Sequence, residues 1–199
     1  MANGVVDVAF ALRGKTIPAD HGWQLYRLLA GRLDWLEAEQ AAGVHPIRGS
    51  RTGADLLHVG GRGRLMLRLS RERAAQALAL SGARLELGDG IELGPAQLRP
   101  LFAHATLYSH FVCAEIADEP AFQRAVGEEL QRAGIGCKVV LGKQRRARSE
   151  QGWIDGFSVM LHELAPEQSL KMQETGVGIA RKLGCGIFVP HRSAAAVSS

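Results

Sequence analysis

One order of strand and helix signals occurs twice along this 199-residue chain. Each half has a β-forming segment, a helical segment, two further strands, a second helix and a last strand, as hydrophobic periodicity and turn residues indicate. A β-α-β-β-α-β order is that of a ferredoxin-like domain. We therefore expect an α+β protein with two tandem ferredoxin-like (RRM-like) domains, residues 1–100 and residues 101–199.

The first half opens with the strand VVDVAFAL and continues into a helix from Asp20, as its N-cap, to about Ala42. RLMLRLS alternates apolar and polar residues and is predicted to be a half-buried strand. In the second half, the predicted elements are the strand LYSHFVCAEI, a helix over 119–133, the strands CKVVLG and GWIDGFSVMLHEL, a helix over 166–174 and the strand GIFVP.

Charge and apolar content restrict the function classes. The 24 basic residues exceed the 20 acidic residues by only four, but 19 of the 24 are arginine, whose planar guanidinium binds phosphate oxygens in pairs. No apolar run approaches the roughly 20 residues that span a bilayer, so we expect a cytoplasmic protein without a membrane segment. Its three cysteines lack C-x-x-C spacing, which predicts reduced thiols and no structural zinc.

A glycine-rich segment follows the last predicted helix. Its pattern is G-x-G-x5-G-x-G with two cations near the centre, and it matches neither the Walker A motif nor the dinucleotide fingerprint. Because glycine allows positive φ and close approach of the backbone, successive N–H groups could converge on a phosphate. We predict a phosphate-contacting loop formed by Gly176, Gly178, Arg181, Lys182, Gly184 and Gly186. The alternative is a helix C-cap followed by an irregular turn.

A basic segment lies between two predicted strands of the second half. We place it at the tip of a hairpin, where clustered cations repel one another unless a polyanion neutralises them. Release of counterions would make such a tip a salt-sensitive contact for nucleic acid. The predicted contacts are Lys143, Arg145, Arg146 and Arg148, and the alternative is a solvated loop.

Two histidines are candidate catalytic bases. His21 falls in the first turn of the first predicted helix, where the positive helix end disfavours the imidazolium. His45 follows that helix, with Arg48 and Arg51 close behind. Such a pairing suits phosphodiester cleavage, in which a base takes the proton of a ribose 2′-hydroxyl and a cation stabilises the phosphorane. The residues alone leave both histidines open.

The glycine-rich segment before a final strand, after a doubled ferredoxin-like order, resembles the CRISPR-associated repeat-processing endoribonucleases, the sixth Cas family. The segments RGKTIPADHGWQLYRLL, VHPIRGSRTG and SLKMQETGVGIARKLGCGIFVP are similar to one compact branch of it. The resemblance implies metal-independent and cofactor-free cleavage of precursor CRISPR RNA within its repeats, giving a 2′,3′-cyclic phosphate and a 5′-hydroxyl. It also implies retention on the 3′ hairpin of the guide RNA, with other interference-complex subunits as partners.

The same resemblance assigns site residues. The family's histidine after the first helix falls on His45, and a nearby basic residue falls on Arg51. The helix tyrosine of some members falls on Ala30, so this sequence departs there, and Tyr26, one turn earlier, is the substitute. Because other branches place their base at the position of His21, the resemblance does not decide whether His45 or His21 is the base.

Two other functions remain open at this stage. The chain could be a non-cleaving CRISPR RNA-binding subunit of an interference complex. It could also be a ferredoxin-like enzyme that binds a nucleotide with its glycine-rich segment, although one small ligand does not need so many cations.

Overall fold

The computed structural model of the chain describes residues 4–53 and 55–191. Contacts divide the chain into two compact units, each with its own apolar core. The first unit comprises Met1–Pro100, Arg148–Gly152 and Lys182–Gly184, and the second comprises Leu101–Ala147, Trp153–Arg181 and Cys185–Ser199. Two short segments from late in the sequence therefore belong to the first unit.

The first unit is built on a five-stranded sheet in the order β3-β6-β1-β8-β7, with a small sheet β2-β5-β4 beside it in the chain. Its elements are β1 (Val5–Arg13), β2 (Thr16–Pro18), α1 (Gly22–Ala30), β3 (Gly43–Val44), β4 (Ser50–Thr52), β5 (Leu56–His58), β6 (Arg64–Ser70), α2 (Arg71–Ala77), β7 (Arg84–Leu85) and β8 (Ile91–Pro100). The four strands that flank the two helices are β1, β3, β6 and β8. If they are counted in that order from first to fourth, their order in the sheet is 2-3-1-4, which is the ferredoxin-like arrangement.

The second unit repeats that arrangement in one four-stranded sheet of order β10-β11-β9-β12. Its elements are β9 (Leu107–Cys113), α3 (Glu119–Arg132), β10 (Lys138–Ser149), β11 (Gly152–His162), α4 (Pro166–Thr175) and β12 (Val189–Pro190). Asp118 caps α3 by accepting a hydrogen bond from the Ala121 N–H at 2.8 Å. The predicted α+β class with tandem β-α-β-β-α-β units is confirmed.

Helix α1 is shorter than the sequence pattern predicts. It ends at Ala30 rather than near Ala42, because Gly31 lacks the helix propensity to continue it. Separate turns follow, in which the Leu33 N–H donates to Leu29 O and the Leu36 N–H donates to Leu33 O. Both leucines remain in the core, so the three- and four-residue spacing predicts which side chains are buried but not how far the helix extends.

The start of α1 also differs from the prediction. His21, not Asp20, occupies the N-cap position, and its side chain makes no cap hydrogen bond. The Asp20 carboxylate instead accepts a hydrogen bond from the Arg148 N–H at 3.0 Å. This bond attaches one of the two late segments of the first unit to the region where α1 begins.

Candidate functional site

His45 lies directly after β3, the edge strand of the larger sheet in the first unit, and 9% of its side chain is exposed. Its Nε2 atom is 3.3 Å from Oδ1 of Asp7, and its Nδ1 atom forms no hydrogen bond with the residues that the structure describes. Burial lowers the pKa of His45; the Asp7 carboxylate opposes that shift, whereas Arg68 and Arg48 add to it. The ring is therefore a neutral imidazole near neutral pH.

Asp7 and Arg68 form a buried ion pair beneath His45. They are register partners on β1 and β6, and the guanidinium binds both carboxylate oxygens, with Nε 2.8 Å from Oδ1 and Nη2 3.0 Å from Oδ2. Burial alone would raise the pKa of Asp7, but hydrogen bonds and charge from His45 and Arg68 hold that pKa well below its usual range. Asp7 is therefore ionised at neutral pH.

The sequence pattern predicts neither member of this pair. The alternation in RLMLRLS indicates only a half-buried strand with Arg68 at a polar position, whereas the relative exposure of Arg68 is 1%. The pair joins residues 61 positions apart, so no local spacing could indicate it. The signal in the sequence is a single charged residue inside each of two strongly apolar strands, since such a residue is rarely buried without a partner.

His21 is buried as well, but both of its ring nitrogens contact the backbone. The Ile47 N–H donates to Nε2 at 2.9 Å, so Nε2 carries the lone pair, and Nδ1 lies 3.0 Å from Pro18 O and carries the hydrogen. Burial lowers the pKa of His21, and the Pro18 and Ala19 backbone groups oppose that shift. His21 is thus a neutral connection between the start of α1 and the loop after β3.

The segment Lys182–Gly184 of the glycine-rich loop belongs to the first unit and lies beside the neighbours of both histidines. A Cβ on Gly22 would come within 2.5 Å of Leu183 O, and a Cβ on Gly184 would come within 3.3 Å of Pro46 Cδ. The Lys182 ammonium donates to Glu37 O at 2.7 Å. Gly22 follows His21 and Pro46 follows His45, so one late segment of the chain contacts the two histidine-bearing segments.

The remaining catalytic candidates are Tyr26, Arg48 and Arg51. Tyr26 is half-buried on α1, with its ring 5.6 Å from that of Trp23, and burial raises the pKa of its hydroxyl. Arg48 is exposed and close enough to His45 to affect its pKa. Arg51 is exposed on β4. The charge of Arg48 thus acts on the His45 ring.

The glycines of the second unit allow close packing of the backbone. Gly176, Gly178 and Gly186 all have positive φ, and a Cβ on any of them would overlap a backbone carbonyl oxygen. Their N–H groups donate inside the fold, to Met172 O, to the Glu129 carboxylate and to Phe111 O respectively. The predicted convergence of these N–H groups on a phosphate is therefore not the conformation observed.

Arg181 contributes to the end of α4. Its Nη1 atom donates to Glu174 O at 2.7 Å and to Thr175 O at 2.8 Å, so the side chain satisfies carbonyls that the helix leaves open. These hydrogen bonds match the alternative given for the glycine-rich segment, a helix C-cap followed by an irregular turn. Contact of Arg181 with RNA stays a prediction.

The basic segment lies within strand β10 and not at a hairpin tip. β10 continues to Ser149, and the turn falls at residues 150–151, because alternating side chains keep the segment extended against β11. Lys143 and Arg146 are exposed, and Arg145 is half-buried with its Nε atom lacking a hydrogen bond within the described residues. The cations are therefore spread along an edge strand and are not concentrated at the tip of a loop.

Arg146 has an ionic partner that the sequence pattern does not indicate. Its Nε and Nη2 atoms lie 3.0 and 3.3 Å from the two carboxylate oxygens of Asp155 on β11, and its guanidinium lies 5.5 Å from the ring centre of Trp153. The carboxylate keeps the pKa of Arg146 above its ordinary value. The charges of Lys143 and Arg145 are consequently less neutralised by a neighbouring carboxylate than the charge of Arg146.

Residues 4–53 and 55–191 hold neither a metal cluster nor a membrane helix. In those ranges, no three His, Cys, Asp or Glu side chains are grouped so that they could hold a metal ion. None of the helices described there is long and apolar enough to cross a membrane.

Two units of the same strand order, with a glycine-rich segment between the last helix and the last strand, define a tandem ferredoxin-like protein. The family model described as Cas6 Crispr matches residues 6–193. The chain therefore belongs to the Cas6 family, as its resemblance predicts.

Individual relatives agree with this membership. The CRISPR-associated endonuclease Cas6 of Myxococcus xanthus (strain DK1622) is 35% identical over 196 residues, covering 98% of this chain and 85% of that protein. A solved structure of a Cas6-related gene product from Pyrococcus furiosus has a TM-score of 0.66 at 13% identity, over 94% of this chain and 98% of that one. A structure of the CRISPR endoribonuclease Cse3 bound to a 19-nucleotide RNA has a TM-score of 0.53 at 13% identity, with the same coverages.

Proposed function

We propose that this protein is a metal-independent endoribonuclease that cleaves precursor CRISPR RNA within its repeats. The observation that carries the proposal is a neutral histidine, His45, beside the ionised carboxylate of Asp7 in a Cas6-family chain. The relative that is 35% identical over almost the whole chain is an endonuclease, which supports a cleaving enzyme rather than a related fold alone.

His45 is the base in this proposal, and His21 is not. A general base needs a lone pair that can reach the substrate proton. The Nε2 lone pair of His21 accepts the Ile47 N–H, and its Nδ1 carries the hydrogen directed to Pro18 O. Nδ1 of His45 has no such bond within the described residues.

The reaction is an internal transesterification. Nδ1 of His45 takes the proton of the ribose 2′-hydroxyl, the 2′-oxygen bonds to phosphorus, and the bond from phosphorus to the 5′-oxygen breaks. Water protonates the leaving 5′-oxygen, and the resulting hydroxide takes the proton from the His45 imidazolium, which restores the neutral base. The products are a 2′,3′-cyclic phosphate and a 5′-hydroxyl. Arg48 and Arg51 stabilise the charge on the phosphorane, and Tyr26 is a further contact near the reacting ribose.

Cations elsewhere hold the RNA. Lys143, Arg145 and Arg148 contact phosphates of the repeat stem, while Arg146 contributes less charge because Asp155 is its partner. The glycine-rich segment contributes Arg181 and Lys182, whose side chains lie at its centre. The enzyme stays bound to the 3′ hairpin of the cleaved product in the cytoplasm, where other interference-complex subunits bind.

The test uses CRISPR repeat RNA transcribed in vitro. Single-turnover cleavage by His45→Ala should be about 10²–10⁴-fold slower than by the wild type. His21→Gln is the matched control, because its amide oxygen can still accept from the Ile47 N–H, and its loss should be much smaller.

Three outcomes would contradict the proposal in different ways. The reverse pattern would transfer the base to His21, and full activity in both variants would refute a histidine mechanism. Activity that EDTA abolishes and magnesium restores would refute metal independence. Mass spectrometry of the 5′ fragment should give the mass of a cyclic phosphate.

One observation favours a second candidate, a CRISPR RNA-binding subunit that does not cleave. Only 9% of the His45 side chain is exposed, which a merely structural histidine would also show. That candidate predicts tight, salt-sensitive binding of repeat RNA with no cleavage under single-turnover conditions. A nucleotide-binding enzyme has less support, because the glycine N–H groups donate within the fold.

A further inference from the structure

Asp7 and Arg68 beside His45 form a buried ion pair, and a buried ion pair by itself is weak evidence of a contribution to stability. Removing two charges from water is expensive, and replacing a buried ion pair by apolar side chains of similar volume is often neutral or stabilising. Here the pair lies among the apolar residues of β1 and β6, and the relative exposure of Arg68 is 1%. Stability alone therefore gives little reason for these residues, whereas control of the His45 ring does.

We propose that Asp7 is a positioning residue, which together with Arg68 holds the ring of His45 so that Nδ1 faces the ribose 2′-hydroxyl. This inference rests on the proposed function. In this inference, neither Asp7 nor Arg68 contacts the substrate, and both act only through His45.

The hydrogen bonds determine which nitrogen carries the lone pair. An ionised carboxylate can only accept, so Nε2 of His45, 3.3 Å from Asp7 Oδ1, carries the hydrogen. Nδ1 then has the lone pair that takes a proton. Without Asp7, the ring could rotate or adopt the other tautomer, which would place the hydrogen on the reacting nitrogen.

The backbone fixes all three side chains relative to one another. Asp7 on β1 is the register partner of Arg68 on β6, and Gly43 on β3 is the partner of Arg68 on its other side. The His45 N–H then donates to Met66 O of β6 at 2.9 Å. The adjacent strands β1 and β6 therefore supply the carboxylate and the guanidinium, and the residue directly after β3 supplies the imidazole, which leaves little freedom for the ring.

The charges around His45 are of both signs. Asp7 faces it from β1, Arg68 faces it from β6, and Arg48 acts on it from its own loop. Asp7 stabilises the imidazolium that forms when the proton is taken, and the two arginines favour its return to the neutral base. Removing only Asp7 would take from the buried Arg68 the carboxylate that binds its Nε and Nη2 atoms, so a variant must change both residues.

The experiment compares two double variants with a core control. Asp7→Leu with Arg68→Met removes the acceptor and the charge at similar volume, and Asp7→Asn with Arg68→Met restores an acceptor without charge. Leu69→Ala on the same strand lowers stability without changing the His45 hydrogen bonds. Cleavage of repeat RNA is measured under single turnover from pH 5 to 9, and binding is measured with RNA carrying a 2′-deoxy sugar at the cut.

The leucine variant should cleave about 100-fold more slowly than the wild type and bind the 2′-deoxy RNA within about threefold of it. The asparagine variant should recover about tenfold of that rate, and Leu69→Ala should cleave at the wild-type rate below its melting temperature. The wild-type rate and pH profile in the leucine variant, while His45→Ala is inactive, would overturn the positioning role and leave the proposed function intact. No cleavage by the wild type would instead refute the proposed function.

A measurement on the unaltered protein covers the case in which the variants do not fold. Nitrogen chemical shifts of ¹⁵N-labelled histidine report the tautomer of each ring. The inference requires the Nε2–H tautomer for His45 and the Nδ1–H tautomer for His21. A hydrogen on Nδ1 of neutral His45 would overturn it.

Discussion

Replacing Gly186 by alanine should destabilise the second unit by about 2–5 kcal/mol. The residue has φ of +63°, and a left-handed conformation costs alanine about 1–2 kcal/mol relative to its ordinary conformation. The new Cβ would also overlap Val177 O, and relieving such overlap by a backbone shift costs about 1–3 kcal/mol more. The free energy of unfolding in urea, followed by far-ultraviolet circular dichroism, measures the change.

Two other glycines of the same unit separate these contributions. Gly134 has φ of +68° and no neighbouring atom within 4 Å of the place a Cβ would take, so Gly134→Ala should lose only the conformational part, about 1–2 kcal/mol. Gly127 is a residue of α3 with open space around it, so Gly127→Ala should stabilise the protein by about 1 kcal/mol. Equal losses for Gly186→Ala and Gly134→Ala would refute the steric part of the reasoning, and a loss for Gly127→Ala would refute the comparison.

Three further changes test the charges. Lys143→Ala combined with Arg145→Ala should weaken RNA binding and reduce the slope of log affinity against log salt by about two, as titration from 50 to 300 mM salt would measure. Asp155→Asn should release the charge of Arg146 and increase that slope by about one. His21→Gln should reduce the loss of stability between pH 7 and pH 5, measured by melting temperature. A histidine whose folded pKa is lowered binds fewer protons than in the unfolded chain, so its stabilisation is present above the unfolded pKa and is lost as the pH falls.

Each of these has a contrary result. An unchanged salt slope in the Lys143 and Arg145 variant would remove these two residues from the RNA contacts. An unchanged slope in Asp155→Asn would mean that Arg146 already contacts phosphate despite its ion pair. An unchanged pH dependence in His21→Gln would mean that His21 binds protons equally in the folded and unfolded chains, so that its pKa is not lowered by folding.

Element order could be predicted from the sequence because it depends on local signals. Strand and helix periodicities differ, and Asp118 and the turn before β8 mark boundaries by their own chemistry. The end of α1 could not be predicted from periodicity, because Leu33 and Leu36 keep the helical spacing in separate turns after Gly31. The three- and four-residue spacing of apolar residues indicates which side chains are buried, and a chain can bury them without forming a continuous helix.

The candidate site was less predictable because its contacts join residues that are far apart in the sequence. The position of His45 after the first helix could be read from the sequence, but its partners come from strands far away in the chain. The sequence shows the basic residues of β10 as a cluster, but the prediction of a turn there is wrong, because Val139 and Leu141 continue their alternation into the charged stretch. What a cation contacts depends on its cross-strand neighbour, as the partnership of Arg146 with Asp155 illustrates.

The two late segments of the first unit determine when that unit can be completed during synthesis. Residues 148–152 and 182–184 are part of it, and the second of them covers Gly22 and Pro46 beside the two histidines. A ribosome that adds about 5–20 residues per second needs several more seconds after residue 100 before these segments emerge. A fragment truncated at residue 100 would therefore lack the contacts that cover the histidine-bearing segments. Nascent chains shorter than about 184 residues should be cut more readily by proteases between residues 20 and 50 than the finished protein.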